Sequence, residues 1–466
     1  MRGAATGGSV GGRIRLRRLL PLLLLLLGVA TVVGSCTRVV GVETPLPPVD
    51  PTVRGVPGPV ATPPPLPPPP VAPPPPPGAI PTPFREVRAL WVVRTALVHP
   101  DSVRAMVDRA HRGGFNTLLV QVRGRGDAFY LGGREPRAVV LSGQPPDFDP
   151  LGLVLREAHA RGMEVHAWMN THLVSSAILL PVDPSHIVNT RPDLLAVPRA
   201  LATRLNGTDP RDRRYVELLA AHARENATRV EGIYTSPSHP EVKAHLRGVW
   251  GDLLRRYPVD GVHLDYMRYP APDFDHSAAT LRAFRDWLAP TRPPAEREGL
   301  DGASRGDPLA WVDAHPREWE DFRRMHITGL LEEVVAEVRA LRPGIAVSVA
   351  VLADREDARR ARFQDWGDWL TRGVVDAVAP MAYTPDDLRF REQIRGAVQV
   401  GGGSRVWAGI GIYQTTFQGA VTKAGIAREE GAAGLVLFSY DWAVGEEGRR
   451  AGGAWLDRFS ETVFGR

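Results

Sequence analysis

At 466 residues, with 43% hydrophobic residues and 11 tryptophans, the chain is long enough for one large barrel or for two to three domains with a sizeable core. Its 57 basic and 52 acidic residues give a formal charge of +5, a balance that would point to nucleic acid or acidic membranes if it were spread over the fold. It is not spread: the first 36 residues hold five arginines and no acid, and without them the signs balance at 52 each, so nucleic acid is not an expected partner.

The arginines belong to an export signal. Arg13, Arg15, Arg17 and Arg18 precede an apolar run from Leu19 to Val33 that is short for a comfortable membrane span. The run ends in Val33-Gly34-Ser35-Cys36, which resembles the lipobox of bacterial lipoproteins, and Cys36 is the only cysteine in the chain. A disulfide within the chain is therefore impossible, and lipidation gives that cysteine a use. The expected organisation is a signal peptide over 1–35, then a lipidated Cys36 heading a linker over 36–83, with acyl chains holding the exported protein on a membrane of the cell envelope. Between Pro45 and Pro83 there are 20 prolines in 39 residues. Such a segment has few amide donors and little apolar surface to bury, so an extended tether with a reach on the order of 100 Å is expected.

From residue 84 to the end the pattern changes to short apolar runs alternating with amphipathic stretches. Eight runs are predicted strands: RALWVV (88–93), NTLLVQV (116–122), EVHAWM (164–169), GVHLDY (261–266), IAVSVAV (345–351), DAVAPMAY (376–383), VWAGIGIY (406–413) and GLVLFSY (434–440). Most are nearly continuous, as parallel strands covered on both faces are. Helices lie between them, several ending on a glycine shortly before the next strand, as in RGGFNTLLV and RGMEVHAWM. The pattern predicts an α/β fold, a (β/α)8 TIM barrel over 84–466 with long insertions after strands three and four. A doubly wound open sheet would usually carry a Gly-rich phosphate turn after its first strand, and VVRTALVHP is not one.

A barrel of this kind builds its site at the C-terminal ends of its strands. That rule selects Gln121, Arg123 and Asp127 after strand two; His166, Trp168 and Asn170 on strand three; and His263, Asp265, Arg268 and Tyr269 on and after strand four. It further selects Asp354 after strand five, Tyr383 and Asp386 after strand six, Tyr413 after strand seven and Asp441 after strand eight. Period two puts His263 and Asp265 on one face, and likewise His166, Trp168 and Asn170. Aromatic side chains, amides and arginines in such a rim suit sugar rings and their hydroxyls. Asp260 and Asp376 precede their strands and fall to the opposite face, where a stabilising role is expected.

The stretches REVRALWV, FNTLLVQVRGRGDAFY, AHARGMEVHAWMN, HPEVKAHL, VDGVHLDYMRYP, GDWLTRGVVDAVAPMAY and GLVLFSYD, in this order, resemble the bacterial glycosyl-hydrolase-like family ten of exported barrel proteins. The resemblance implies action on bacterial cell-wall glycan or another polysaccharide. Two departures stand out. The family commonly has two adjacent acids where this chain has Asp265-Tyr266, and a Pro-Gln-aromatic phrase where it has Pro380-Met381-Ala382-Tyr383.

Glycoside hydrolysis ordinarily uses two carboxyl groups, about 5–5.5 Å apart for retention and about 6.5–9.5 Å apart for inversion. Asp265 is the expected nucleophile or base, with Arg268 and His263 helping to keep it ionised. The second acid is to be found among Asp441, Asp386, Asp354 and Asp127, unless the sugar itself participates. The expected function is that of a membrane-tethered glycoside hydrolase acting on envelope polysaccharide, foremost peptidoglycan glycan strands, without a cofactor. Three alternatives remain open: a non-catalytic glycan-binding barrel, a salt bridge from Asp265 to Arg268 or Arg123 that merely closes the mouth, and a metal site of His166, His263 and Asp265. The last lacks the pair of histidines two apart that metal-dependent barrels carry on their first strand, which here reads ALWVVR.

Overall fold

The computed structural model describes residues 86–445, 448 and 454–465. The signal peptide, Cys36 and the proline-rich linker lie outside the described residues. Eight parallel strands close a barrel: β1 Val87–Val92, β2 Thr117–Arg123, β3 Glu164–Asn170, β4 Gly261–Asp265, β5 Ala346–Leu352, β6 Ala377–Met381, β7 Trp407–Gly411 and β8 Gly434–Phe438. Each pairs with its neighbours in the chain and β8 pairs with β1, so no edge is left open. All eight coincide with the predicted apolar runs to within two residues, with helices between them.

The apolar run of each strand serves two cores. Ala89, Trp91, Leu119, Trp168, Ala350, Ala377, Ala379, Trp407 and Val436 fill the barrel interior. Their neighbours in sequence, such as Leu90, Leu118, Ala167, Val349 and Leu435, face the surrounding helices. Three tryptophans inside one barrel need small residues opposite them, and β6 and β7 supply these. At Gly409 a Cβ would stand 2.5 Å from the Pro380 carbonyl oxygen and 3.1 Å from the Trp91 ring.

At the N-terminal end of the barrel, Asp260 accepts the Val165 amide at 2.8 Å and pairs with His159 at 2.9 Å. Asp376 accepts the Val347 amide at 2.8 Å and binds Arg339. Each therefore anchors the start of the neighbouring strand, the role their place before a strand predicts.

At the opposite end the two insertions are knitted together. The first contains an antiparallel ribbon of Leu173–Ser176 with Gly232–Tyr234 and leads into the helix Pro240–Arg256. The second carries the helices Ala278–Leu288 and Pro316–Leu341 around a separate cluster of Phe284, Trp311, Trp319 and Phe322. Buried Asp275 of the second insertion accepts Val197 N of the first at 2.8 Å, together with Ser277 N and the Thr280 hydroxyl. Arg323, stacked on Phe363 at 3.8 Å, donates to the Phe274 carbonyl at 2.6 Å and ties the loop to the long helix. These contacts make a fixed rim around the mouth. No helix among the described residues is long and apolar enough to cross a membrane.

Candidate active site

Strand β4 ends on Asp265, and the next residue turns the chain sharply: Tyr266 has φ +52°, the left-handed region that few bulky residues adopt. The turn brings Tyr266 N to Asp265 Oδ1 at 2.7 Å, while Trp168 Nε1 donates to Oδ2 at 3.1 Å. Asp265 is only 6% exposed and forms no ion pair among the described residues. Burial pushes its carboxyl up to about 6, against the pull of Arg268 and the two hydrogen bonds, and the Glu231 carboxylate adds to the rise. A carboxyl so placed keeps its proton up to about pH 6 and is able to deliver it there, the behaviour of an acid where a nucleophile or base kept ionised was expected.

The alternative of a salt bridge from Asp265 to Arg268 or Arg123 is not realised among the described residues. Arg268 Nη2 binds Glu231 Oε1 at 3.0 Å, and its guanidinium lies 4.5 Å from the centre of the Tyr266 ring. Arg123 turns away from the mouth at an irregularity in the β2–β3 register. It is buried against Glu135, with Nε and Nη2 each 2.6 Å from a carboxylate oxygen, and it also donates to the carbonyls of Asn170 and Thr171.

Face and depth prove to be separate questions for the histidines. His263 shares the inward face with Asp265 but lies one layer lower, where Trp91 Nε1 donates to its Nε2 at 3.0 Å and its Nδ1 faces Ser348 Oγ at 2.9 Å. Burial holds its pKa down to about 3, so this neutral ring does not help ionise Asp265 as expected. His166 pairs in register with Gly261 at the bottom of β4, packs 5.8 Å from Trp407 and does not reach the mouth. With these two rings in different layers, no group of three metal-ligating side chains forms among the described residues.

Several other predicted residues turn out to hold the rim rather than to face it. Gln121 accepts from Arg94 Nη1 at 2.9 Å and reaches Asn170 Oδ1 at 3.3 Å, while Asn170 donates to the Gly124 carbonyl at 2.8 Å. Those bonds fasten the loops after β1, β2 and β3 to one another. Asp127 accepts the Arg125 amide at 2.9 Å within its own loop. Tyr269 is fully buried, edge-on to Phe363 at 5.4 Å, and is not at the mouth.

The proposed second acids are likewise engaged. Asp441 accepts Val93 N at 2.8 Å and the Thr95 hydroxyl at 2.7 Å, closing the seam between the β8 and β1 ends. Asp354 caps the helix Arg355–Ala361. Asp386 caps the helix Asp387–Gly401, accepting from Leu388 N at 2.8 Å and Arg389 N at 3.1 Å. An N-cap of this kind contributes about 1 kcal/mol to stability. Asp386→Ala is therefore expected to lower the unfolding free energy by about that amount and to leave catalytic turnover unchanged. A turnover loss greater than about tenfold, which is about 1.4 kcal/mol in activation free energy, would return Asp386 to the chemistry.

Beside Asp265 the mouth is lined by half-buried aromatics. Tyr383 meets Tyr413 at 5.8 Å and Phe438 at 5.4 Å, and Tyr413 meets Phe438 at 6.0 Å. Trp91 supports this group from inside the barrel, 6.2 Å from Tyr383. The charge of Asp265 is felt at Tyr383, whose hydroxyl is held well above its ordinary range, chiefly by burial.

One carboxylate near Asp265 lies off the barrel strand ends and is not among the predicted acids. Glu231 immediately precedes the ribbon strand Gly232–Tyr234 in the first insertion. Its Oε2 accepts from Tyr234 OH at 2.6 Å and its Oε1 from Arg268. Burial raises its pKa, and the arginine with the tyrosine hydroxyl outweighs that, so Glu231 stays ionised. The signal was present in EGIYTSPSHP, an acid at the start of a short apolar run.

A family model described as glycosyl hydrolase-like 10 matches residues 86–415. The chain is 26% identical over 307 residues to the glycosyl hydrolase DigH of Escherichia coli, covering 62% of this chain and 59% of that protein. It is 22% identical over 329 residues to the glycosyl hydrolase YngK of Bacillus subtilis, covering 64% and 54%. The chain thus spans less than two thirds of the length of these relatives. Among solved structures, the PgaB (BpsB) glycoside hydrolase domain from Bordetella bronchiseptica superposes with a TM-score of 0.52 at 15% identity, over 81% of this chain and 99% of that one. A β-galactosidase from a Rahnella species gives 0.51 at 14% identity, over 83% and 57%. At these identities the structural matches establish the barrel.

Proposed function

The chain belongs to the glycosyl hydrolase-like 10 family, and we propose that it hydrolyses O-glycosidic bonds of a cell-envelope polysaccharide, foremost the glycan strands of peptidoglycan, while tethered to a membrane through acylated Cys36. The observation that carries this reading is Asp265. It is the mouth carboxyl with no capping duty and no ion pair among the described residues, and it keeps its proton up to about pH 6 beside an aromatic platform. In the proposed reaction Asp265 protonates the leaving glycosidic oxygen, water supplies the hydroxyl that replaces it, and the proton that this water releases restores the Asp265 carboxyl by way of solvent. Tyr383, Tyr413 and Phe438 seat a sugar ring beside the acid. The 20 prolines between Pro45 and Pro83 favour this reading, since their composition is that expected of a tether between a membrane anchor and a barrel acting on an extended polymer.

A second reading is favoured by the same platform. Aromatic rings at a barrel mouth bind glycan whether or not the bond breaks, so a non-catalytic, glycan-binding lipoprotein would use this surface equally well. Incubating the protein with intact peptidoglycan and with peptide-stripped glycan, followed by mass analysis of the soluble sugars, separates the two. Hydrolysis gives fragments that gain one water for each broken bond. Sedimentation with both polymers and no soluble product would establish the binder.

A further inference from the structure

We propose that Glu231 is a positioning residue for Asp265: by holding Arg268 it keeps the guanidinium off the Asp265 carboxyl and so sets the pH at which the mouth works. The proposal rests on Asp265 acting as the acid of the reaction proposed above.

The geometry is that of one cation placed between two carboxylates and given to only one of them. Arg268 follows Asp265 by three residues, around the left-handed turn at Tyr266. Its Nη2 goes to Glu231, its face lies over Tyr266, and its buried Nε and Nη1 have no acceptor among the described residues. Glu231 is itself fixed, since Tyr234 OH holds its other oxygen. Tyr234 is buried and packs 5.9 Å from Tyr266, so the ribbon of the first insertion reaches into the electrostatics of β4.

The groups that bear on Asp265 come from four elements. Its own loop provides the Tyr266 amide and Arg268, the first insertion provides Glu231, β3 provides the Trp168 indole, and the end of β6 provides Tyr383. Arg268 is the one cation among them, and Arg125 acts on the neighbouring Tyr266. With Glu231 neutralised, the free donors of Arg268 have Asp265 as the nearest remaining charge to satisfy. An arginine beside a carboxylate lowers its pKa by about 1–3 units, which would strip the proton that the reaction uses.

The test uses the full-length protein with ¹³C-carboxyl aspartate, the Asp265 signal being assigned by its loss in Asp265→Asn. In Glu231→Gln the Asp265 titration is expected to move down by at least about one pH unit. The alkaline limb of the kcat/KM profile should move with it, so that a roughly tenfold loss at pH 7 is recovered near pH 5. Glu231→Gln combined with Arg268→Met removes both charges and is expected to return the titration close to the wild-type position; it also serves if the single variant folds poorly. An Asp265 titration that stays at the wild-type position in Glu231→Gln, or that moves down by about one unit in the double variant, where no arginine is left to cause it, overturns the proposal. So does a loss in Glu231→Gln of the same size at every pH, with Glu231→Ala rescued by azide, since Glu231 would then act on the substrate itself. Because the titration is read without substrate, a protein that releases no sugar but shows the shift would refute hydrolysis and keep the Glu231–Arg268 relationship.

Discussion

Asp265→Asn is expected to lower sugar release by about 10³-fold, within the range for removing a general acid, and to leave sedimentation with glycan intact. The same variant should be the more stable protein at neutral pH. Asp265 has an ordinary value of 3.8 and sits at about 6 in the fold, so the native state binds this proton more tightly than the unfolded chain does. The contribution of Asp265 to wild-type stability is therefore fully present below about pH 4, is lost as pH rises through about 6, and is flat beyond, a total of about 3 kcal/mol for a shift of this size. Asparagine avoids the buried charge, and its Oδ1 still accepts the Tyr266 amide. Its NH2, however, faces Trp168 Nε1, donor against donor, which removes part of the gain. The net expectation is a stabilisation of about 1–2 kcal/mol at pH 7.5 that disappears at pH 4, read by urea denaturation at the two values. A stability difference independent of pH would mean that Asp265 is ionised throughout, and the acid role would go with it.

The barrel was legible because the requirement that shapes its strands is local. A parallel strand is covered on both faces, so TLLVQV or AVSVAV must be apolar nearly throughout, and helix-ending glycines mark where several of the strands begin. Asp260 and Asp376 were legible for the same reason, as acids placed just before a strand. Depth within the barrel was not. Period two puts His166, Trp168 and Asn170 on one face, but only the pairing of Asn170 with Asp265 and of His166 with Gly261 shows which of them reaches the mouth. The duties of the acids divide in the same way. The cap at Asp386 is readable in its own neighbourhood, whereas the bond from Val93 N to Asp441 crosses almost the whole domain. Glu231 escaped because its strand belongs to an insertion and not to the barrel.

Arg123→Met is expected to destabilise the fold by about 3–5 kcal/mol, the range for breaking one side of a buried ion pair. Both partners are almost wholly enclosed, at 1% and 2% side-chain exposure, and two bonds join them. Removing the arginine leaves Glu135 with His245 at 2.9 Å as its remaining partner, and strips the carbonyls of Asn170 and Thr171 of their donor. Burial raises the Glu135 pKa, and Arg123 with His245 more than reverses this, holding the carboxyl well below its ordinary value of 4.5. The stabilisation is therefore fully present above about pH 5 and is lost as pH falls below the ordinary range. The reversal experiment is the double change Arg123→Met with Glu135→Leu, which leaves no unpaired charge and is expected to recover most of the loss. Because Arg123 grips the end of β3 next to Asn170, the single variant should also loosen the rim that Gln121 and Asn170 hold, raising KM more than it lowers kcat. A single variant within about 1 kcal/mol of wild type whose kcat falls would instead place Arg123 against the substrate, where its position at a strand end first put it.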